Sequence, residues 1–121
     1  MAVSLHDVRR IATGLPDVME GQCHGTAAFY LRRKLLLRLR DNNETLVVRC
    51  PISRRANLIR SEPDIFFVTD HYRNFPAVLV TLLNVGKERL TEIIHDAWRG
   101  LASKSQIAAT GQRARRDAEG R

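Results

Sequence analysis

Residues 66–82, FFVTDHYRNFPAVLVTL, decide how the rest of the chain is read. Phe66, Phe67 and Val68 form one short apolar run, and Val78 to Leu82 form a second. Short runs rich in aromatic and β-branched residues are those of buried strands. Between them lie Asp70, His71, Tyr72, Arg73, Asn74, Phe75 and Pro76, a polar and aromatic corner. Pro76 has no amide hydrogen to give to a ladder, so it belongs at a strand start or on an edge.

Upstream, AAFYLRR (27–33), KLLLRLR (34–40) and ETLVVRC (44–50) read as three successive strands. The turn at Arg33–Lys34 is tight and basic, and Asp41 to Glu44 is Asn- and Asp-rich turn chemistry. In the second strand, strict alternation puts Leu35, Leu37 and Leu39 on one face and Leu36, Arg38 and Arg40 on the other. The meander is therefore expected to be apolar inside and basic outside. Residues 17–25 lack a period and read as a loop.

Helices flank these strands. Ser4 and Asp7 form a weak capping box before Leu5, Val8, Ile11, Ala12 and Leu15, and Gly14 and Pro16 end that helix. Ser53 is expected to cap a short second helix, with Ile52, Ala56 and Ile59 along one side, Arg54 and Arg55 elsewhere, and Pro63 closing it. Beyond Gly86, the residues Leu90, Ile93, Ile94, Ala97, Trp98 and Leu101 step at helical spacing, which makes Trp98 a core residue. The order is α-β-β-β-α-β-β-α. This predicts an α+β fold in which helices pack a mostly antiparallel sheet, as a single domain over residues 1–102. Residues 103–121 have few apolar side chains and read as a basic, disordered tail.

A chain of 121 residues suits one domain, and 44% hydrophobic with 27% charged residues suits a soluble one. No apolar run approaches the ~18 residues of a membrane span. The N-terminal MAVSLHDVRR lacks a signal segment, so the expected compartment is the cytoplasm. In a reducing compartment Cys23 and Cys50 are expected as free thiols.

The formal charge of +7 is unevenly placed. Residues 32–60 alone carry nine cations against two acids, and the tail carries five against two. Segregated positive charge favours an anionic partner. Arg32, Arg33 and Lys34 sit at a hairpin tip, Arg38 and Arg40 continue one strand face, and Arg54 and Arg55 open a helix. An arginine fork matches phosphate with two parallel hydrogen bonds.

Other chemistry finds little support. The four histidines and two cysteines have no metal-ligand spacing, and no Gly-rich loop precedes a Lys-Ser/Thr pair. Asp70, His71 and Tyr72 carry acid–base groups, but no nucleophile stands in an activating motif, and a structural corner accounts for them better. Tyr30 and Tyr72, with polar or charged neighbours, are the better candidates for a stacking surface.

Three strings, HGTAAFYLRRKLLLRLR (24–40), FFVTDHYRNFPAVLVTL (66–82) and LTEIIHDAW (90–98), carry a resemblance in their order and spacing. Together they resemble the MmcQ/YjbR family of small bacterial proteins over residues 4–102. One departure is Ala27, where the family often has proline. The resemblance implies a frataxin-like α+β fold and DNA binding through a double-wing arrangement. The expectation is therefore a non-enzymatic DNA-binding protein without cofactor or metal, largely indifferent to sequence. Arg32, Arg33, Lys34, Arg38 and Arg40 would hold phosphates, with Arg54 and Arg55 in support. His71, Tyr72 and Arg73 would form a partner or ligand corner. The alternative is a protein-interaction or chaperone-like module using a sheet edge or an apolar patch beside Tyr72 and Phe75.

Overall fold

Helix α1 (Leu5–Thr13) starts as expected: the Asp7 amide donates to Ser4 Oγ, and the Ser4 amide donates back to the Asp7 carboxylate at 3.0 Å. The computed structural model describes residues 3–40, 42 and 44–102; the expected disordered tail lies outside the described residues. The chain then forms β1 (Val18–Cys23), β2 (Thr26–Leu31), β3 (Lys34–Leu39) and β4 (Thr45–Arg49). Helix α2 (Ile52–Ser61), the two-residue β5 (Phe66–Phe67), a single 3-10 turn (Asp70–Tyr72), β6 (Ala77–Thr81) and α3 (Lys87–Leu101) follow.

All pairings are antiparallel, in the order β1-β2-β3-β4-β6-β5. The α+β class holds with one more strand than expected. Residues 17–25 are not a loop, because β1 occupies most of them. Only Val18 of VMEGQC is buried, so this edge strand lacks the apolar alternation that marks a strand in sequence. A two-residue turn joins it to β2. His24 and Gly25 have φ of 53° and 79°, the left-handed conformation a tight hairpin asks for.

Two further details depart from the sequence pattern. Phe29 pairs with Leu37 but Tyr30 pairs with Leu35, so Leu36 is an extra residue in β3. This bulge turns Leu36 and Leu37 both into the main core with Leu39, and leaves Leu35 beside Tyr30 on the other face. Ser53 does not cap α2: Pro51 holds that position, and its carbonyl accepts the Arg54 and Arg55 amides.

The main core lies between one face of the sheet and helices α1 and α3. Phe29, Leu36, Leu37, Leu46, Phe66, Leu90 and Ile94 are fully buried there. Trp98 is buried too, as its spacing predicts, and its indole N–H donates to the Pro16 carbonyl at 3.0 Å. Among the described residues, the opposite face has only a small second cluster, Val47, Ala77 and Leu79, with Phe67 and Tyr72 packed against it. Helices cover one side; the corner at 70–76 covers part of the other.

Candidate nucleic-acid interface

The corner between β5 and β6 is held from behind by one side chain. Arg55 is 7% exposed, and its Nη1 donates to the carbonyls of Tyr72 (3.1 Å), Phe75 (3.0 Å) and Ala77 (3.0 Å). Its Nη2 donates to the Arg73 carbonyl at 2.7 Å. The planar five-donor guanidinium is suited to several carbonyls converging in one plane. Arg55 therefore does not belong to a basic surface, contrary to the sequence expectation. Adjacent arginines at the start of a helix look alike in sequence; which one turns inward depends on where the corner's carbonyls end up. Its neighbour Arg54 turns outward and meets Asp96 of α3 at 3.7 Å, so it sits on the helix-covered side.

The corner itself is a tight turn. The Tyr72 amide donates to the Thr69 carbonyl at 3.0 Å, and Arg73 pairs with Asp70 at 2.7 Å. His71 meets the edge of the Tyr72 ring at 4.9 Å between centres. Tyr72 packs on the small second cluster of the sheet, and its hydroxyl accepts from Arg38 Nη2 at 3.4 Å. Arg38 also donates to Thr26 Oγ1 (3.1 Å) and the Leu39 carbonyl (3.2 Å).

Arg38, Arg40, Asn42, His71 and Tyr72 line an open cleft of about 380 Å³. The structure thus joins two groups that the sequence kept apart, the strand arginines and the corner. Arg73 faces its own ion pair, not this cleft. Asp70, engaged with Arg73, is likewise outside it.

The hairpin tip is a separate region at the other end of β3. Arg32 has φ 59° and pairs with Asp17 at 3.4 Å, while Arg33 and Lys34 are exposed. The expected basic surface is therefore divided: tip, cleft, Arg54 on the far side, and Arg55 inside.

Sequence reasoning passed over Arg49 as a site residue. Its guanidinium lies 5.0 Å from the Phe75 ring centre, and its Nε donates to the Leu35 carbonyl at 3.2 Å. Partial burial lowers its pKa, though an arginine stays charged under ordinary conditions. A second cavity of about 340 Å³ lies under the helices and is lined by Cys50, Leu58, Val78, Ile93 and Leu101 among others. Burial pushes the Cys50 thiol up, so it is an unreactive lining group. Both cysteines are free, in agreement with the sequence reading.

Among the described residues, no three His, Cys, Asp or Glu side chains gather as a metal site, and no helix is long and apolar enough to cross a membrane.

An antiparallel sheet with helices on one side and a basic open cleft on the other defines a small α+β protein. The crystal structure of Deinococcus radiodurans protein DR2400, with family-model domain DUF419, shares this fold. It is 18% identical and superposes with a TM-score of 0.68 over 89% of this chain and 88% of its own. The YjbR family model matches residues 13–100, and the chain belongs to that family. Uncharacterized proteins Mb2600 of Mycobacterium bovis and Rv2570 of Mycobacterium tuberculosis are each 40% identical over 52 residues. That match spans 43% of this chain and 40% of each relative.

Proposed function

We propose that this chain is a non-enzymatic DNA-binding protein that holds backbone phosphates without reading sequence. One observation carries the reading. No ion pair among the described residues engages Arg33, Lys34, Arg38, Arg40 or Arg49, while Arg9, Arg54, Arg89 and Arg99 each meet an acid. Hydrogen bonds to neutral oxygens position Arg38 and Arg49 but leave their charge uncompensated. Such a surface attracts phosphates. Arg33 and Lys34 at the tip, and Arg38 and Arg40 in the cleft, would make the contacts. Free Cys23 and Cys50 suit a reducing cytoplasm.

The test is fluorescence anisotropy of the full chain with a labelled duplex across a salt series. Each phosphate contact removed should lower the salt slope by about 0.9. Arg38→Ala with Arg40→Ala should weaken low-salt binding about tenfold and lower the slope by roughly 2. Arg33→Ala with Lys34→Ala should act similarly, and Arg54→Ala should change neither quantity. Unchanged affinity and slope in both double variants would sink the proposal.

A second reading, an interaction module for an acidic protein, draws on Phe75, which is 37% exposed beside Arg49. It predicts self-association or protein capture that Phe75→Ser disrupts while leaving the fold intact and duplex affinity unchanged.

A further inference from the structure

Tyr30 lies on the open face of the sheet, opposite Leu35. Its hydroxyl donates to the Gln22 carbonyl at 3.0 Å, which draws the side chain from β2 across to β1. Gly21 faces the Cδ1–Cε1 edge of the ring. A Cβ there would stand 3.3 Å from Tyr30 Cε1 and 3.5 Å from Cδ1. The missing side chain at residue 21 therefore lets that edge of the ring come close to the strand. Tyr30 is half-buried and belongs to neither buried cluster, so part of its ring is open to solvent.

The other aromatics of this face are already used. Tyr72 packs on Val47, Ala77 and Leu79, and Phe75 has the Arg49 guanidinium over its ring. Met19 and Leu35 stand opposite Tyr30 on the neighbouring strands, Cys23 lies by its phenol, and one cation is near. Arg38 stands opposite Ala28, two residues along β2, and is close enough for its charge to act on the phenol. Burial is the larger influence and holds the phenol above its ordinary pKa, so the ring is neutral.

A partly exposed neutral ring beside Arg38, a cation without an acid partner among the described residues, matches one anion in particular. A duplex hides its base faces within its own stack; a single strand presents them, and aromatic side chains on a sheet take them up. We propose that the open sheet face binds a single-stranded nucleic acid, with one base stacked on Tyr30 and the flanking phosphates on Arg38 and Arg40. The proposal rests on the phosphate-binding reading above and adds the form of strand and the residue that selects it.

The test uses the full chain and three labelled ligands of equal length: oligothymidine, its abasic counterpart and a duplex. Oligothymidine should bind more tightly than the abasic strand. Tyr30→Leu should cost about tenfold, ~1.4 kcal/mol, for oligothymidine while leaving abasic and duplex affinities unchanged. Tyr30→Phe, which keeps the ring, should retain most of the wild-type preference for bases. Gly21→Ala, which sets a methyl group 3.3 Å from the ring edge and displaces the ring, should act in the direction of Tyr30→Leu without removing the aromatic group. Melting curves for all three variants separate loss of stacking from loss of fold. If Tyr30→Leu and Gly21→Ala leave oligothymidine affinity unchanged, or weaken all three ligands equally, stacking is overturned while the phosphate reading stands. If none of the three ligands binds at low salt, both are overturned.

Discussion

On the helix-covered side of the sheet, Arg9 grips Glu20 at 2.7 Å and 3.0 Å, Arg89 grips Glu62 at 2.6 Å, and Arg99 and Arg54 share Asp96. On the open side, Arg38 donates to three oxygens without charge at 3.1–3.4 Å, and Arg49 rests over Phe75. Both groups are fixed by hydrogen bonds or ring contacts. Only these helical-side arginines have their charge cancelled; Arg60 of α2, bonded to the neutral Asn57, does not. Hydrogen bonding fixes where a guanidinium points, whereas an acid partner decides whether its field reaches solvent. The charge of Arg38 and Arg49 is thus expressed on the open face, whereas four arginines of the helical side have theirs cancelled.

The largest expected effect breaks this comparison from inside. Arg55 connects the two sides, rising from α2 to hold the corner on which the cleft is built. Arg55→Ala would take from four corner carbonyls the guanidinium they share, and those of Tyr72 and Phe75 would keep the amides of Phe75 and Ala77. A cost of about 3 kcal/mol is expected, since hydrogen bonds from a charged group to buried acceptors are the expensive ones to lose. Denaturant unfolding measures it, with the neighbouring Arg54→Ala as control. That exposed pair should shift stability by less than ~0.5 kcal/mol. Equal effects at the two positions would mean that the clamp does not hold the corner.

Much of this arrangement is legible in the sequence, and the failures share a cause. Helices α1 and α3 announce themselves because their apolar residues repeat every three or four positions, and β4 and β6 because theirs run together. Strand β1 is silent because Glu20, Gly21 and Gln22 lie on an edge that buries little. The bulge at Leu36 cannot be read because LLL is apolar whichever way its residues face. The burial of Arg55 and the meeting of Arg38 with Tyr72 depend on segments far apart in the chain. Charge runs show how many cations there are, and only packing shows which of them are cancelled.

An acid titration sharpens the contrast more gently. On the helical side, the backbone hydrogen bond of the capping box with Ser4, together with Lys87, lowers the Asp7 pKa, and the Arg9 hydrogen bond lowers that of Glu20. A carboxylate depressed by folding adds stability above its unfolded value, about 4, and loses it as the pH falls through the folded value. Stability should therefore decline below about pH 4, by less than Arg55→Ala costs because Glu20 is exposed and Asp7 only partly buried, and added salt should shrink the decline. Glu20→Gln should flatten part of it. A pH-independent stability in that range would mean that these pairs contribute nothing on folding.

The smallest effect lies at the hairpin tip, where charge and backbone conformation compete. Arg32 occupies φ 59°, a region that costs an L-residue with a Cβ about 1 kcal/mol and glycine nearly nothing. Arg32→Gly removes that strain and gives up an exposed pair with Asp17 at 3.4 Å, worth a few tenths of a kcal/mol at most. The greater freedom of glycine in the unfolded chain takes back part of the gain. A net stabilisation of about 0.5 kcal/mol is expected in thermal unfolding. Because Asp17 already compensates this arginine, the same change should alter the salt slope of duplex binding less than Arg33→Ala does. If Arg32→Gly destabilises the fold, the Asp17 pair outweighs the strain, and the tip belongs with the compensated arginines of the helical side rather than with the open face.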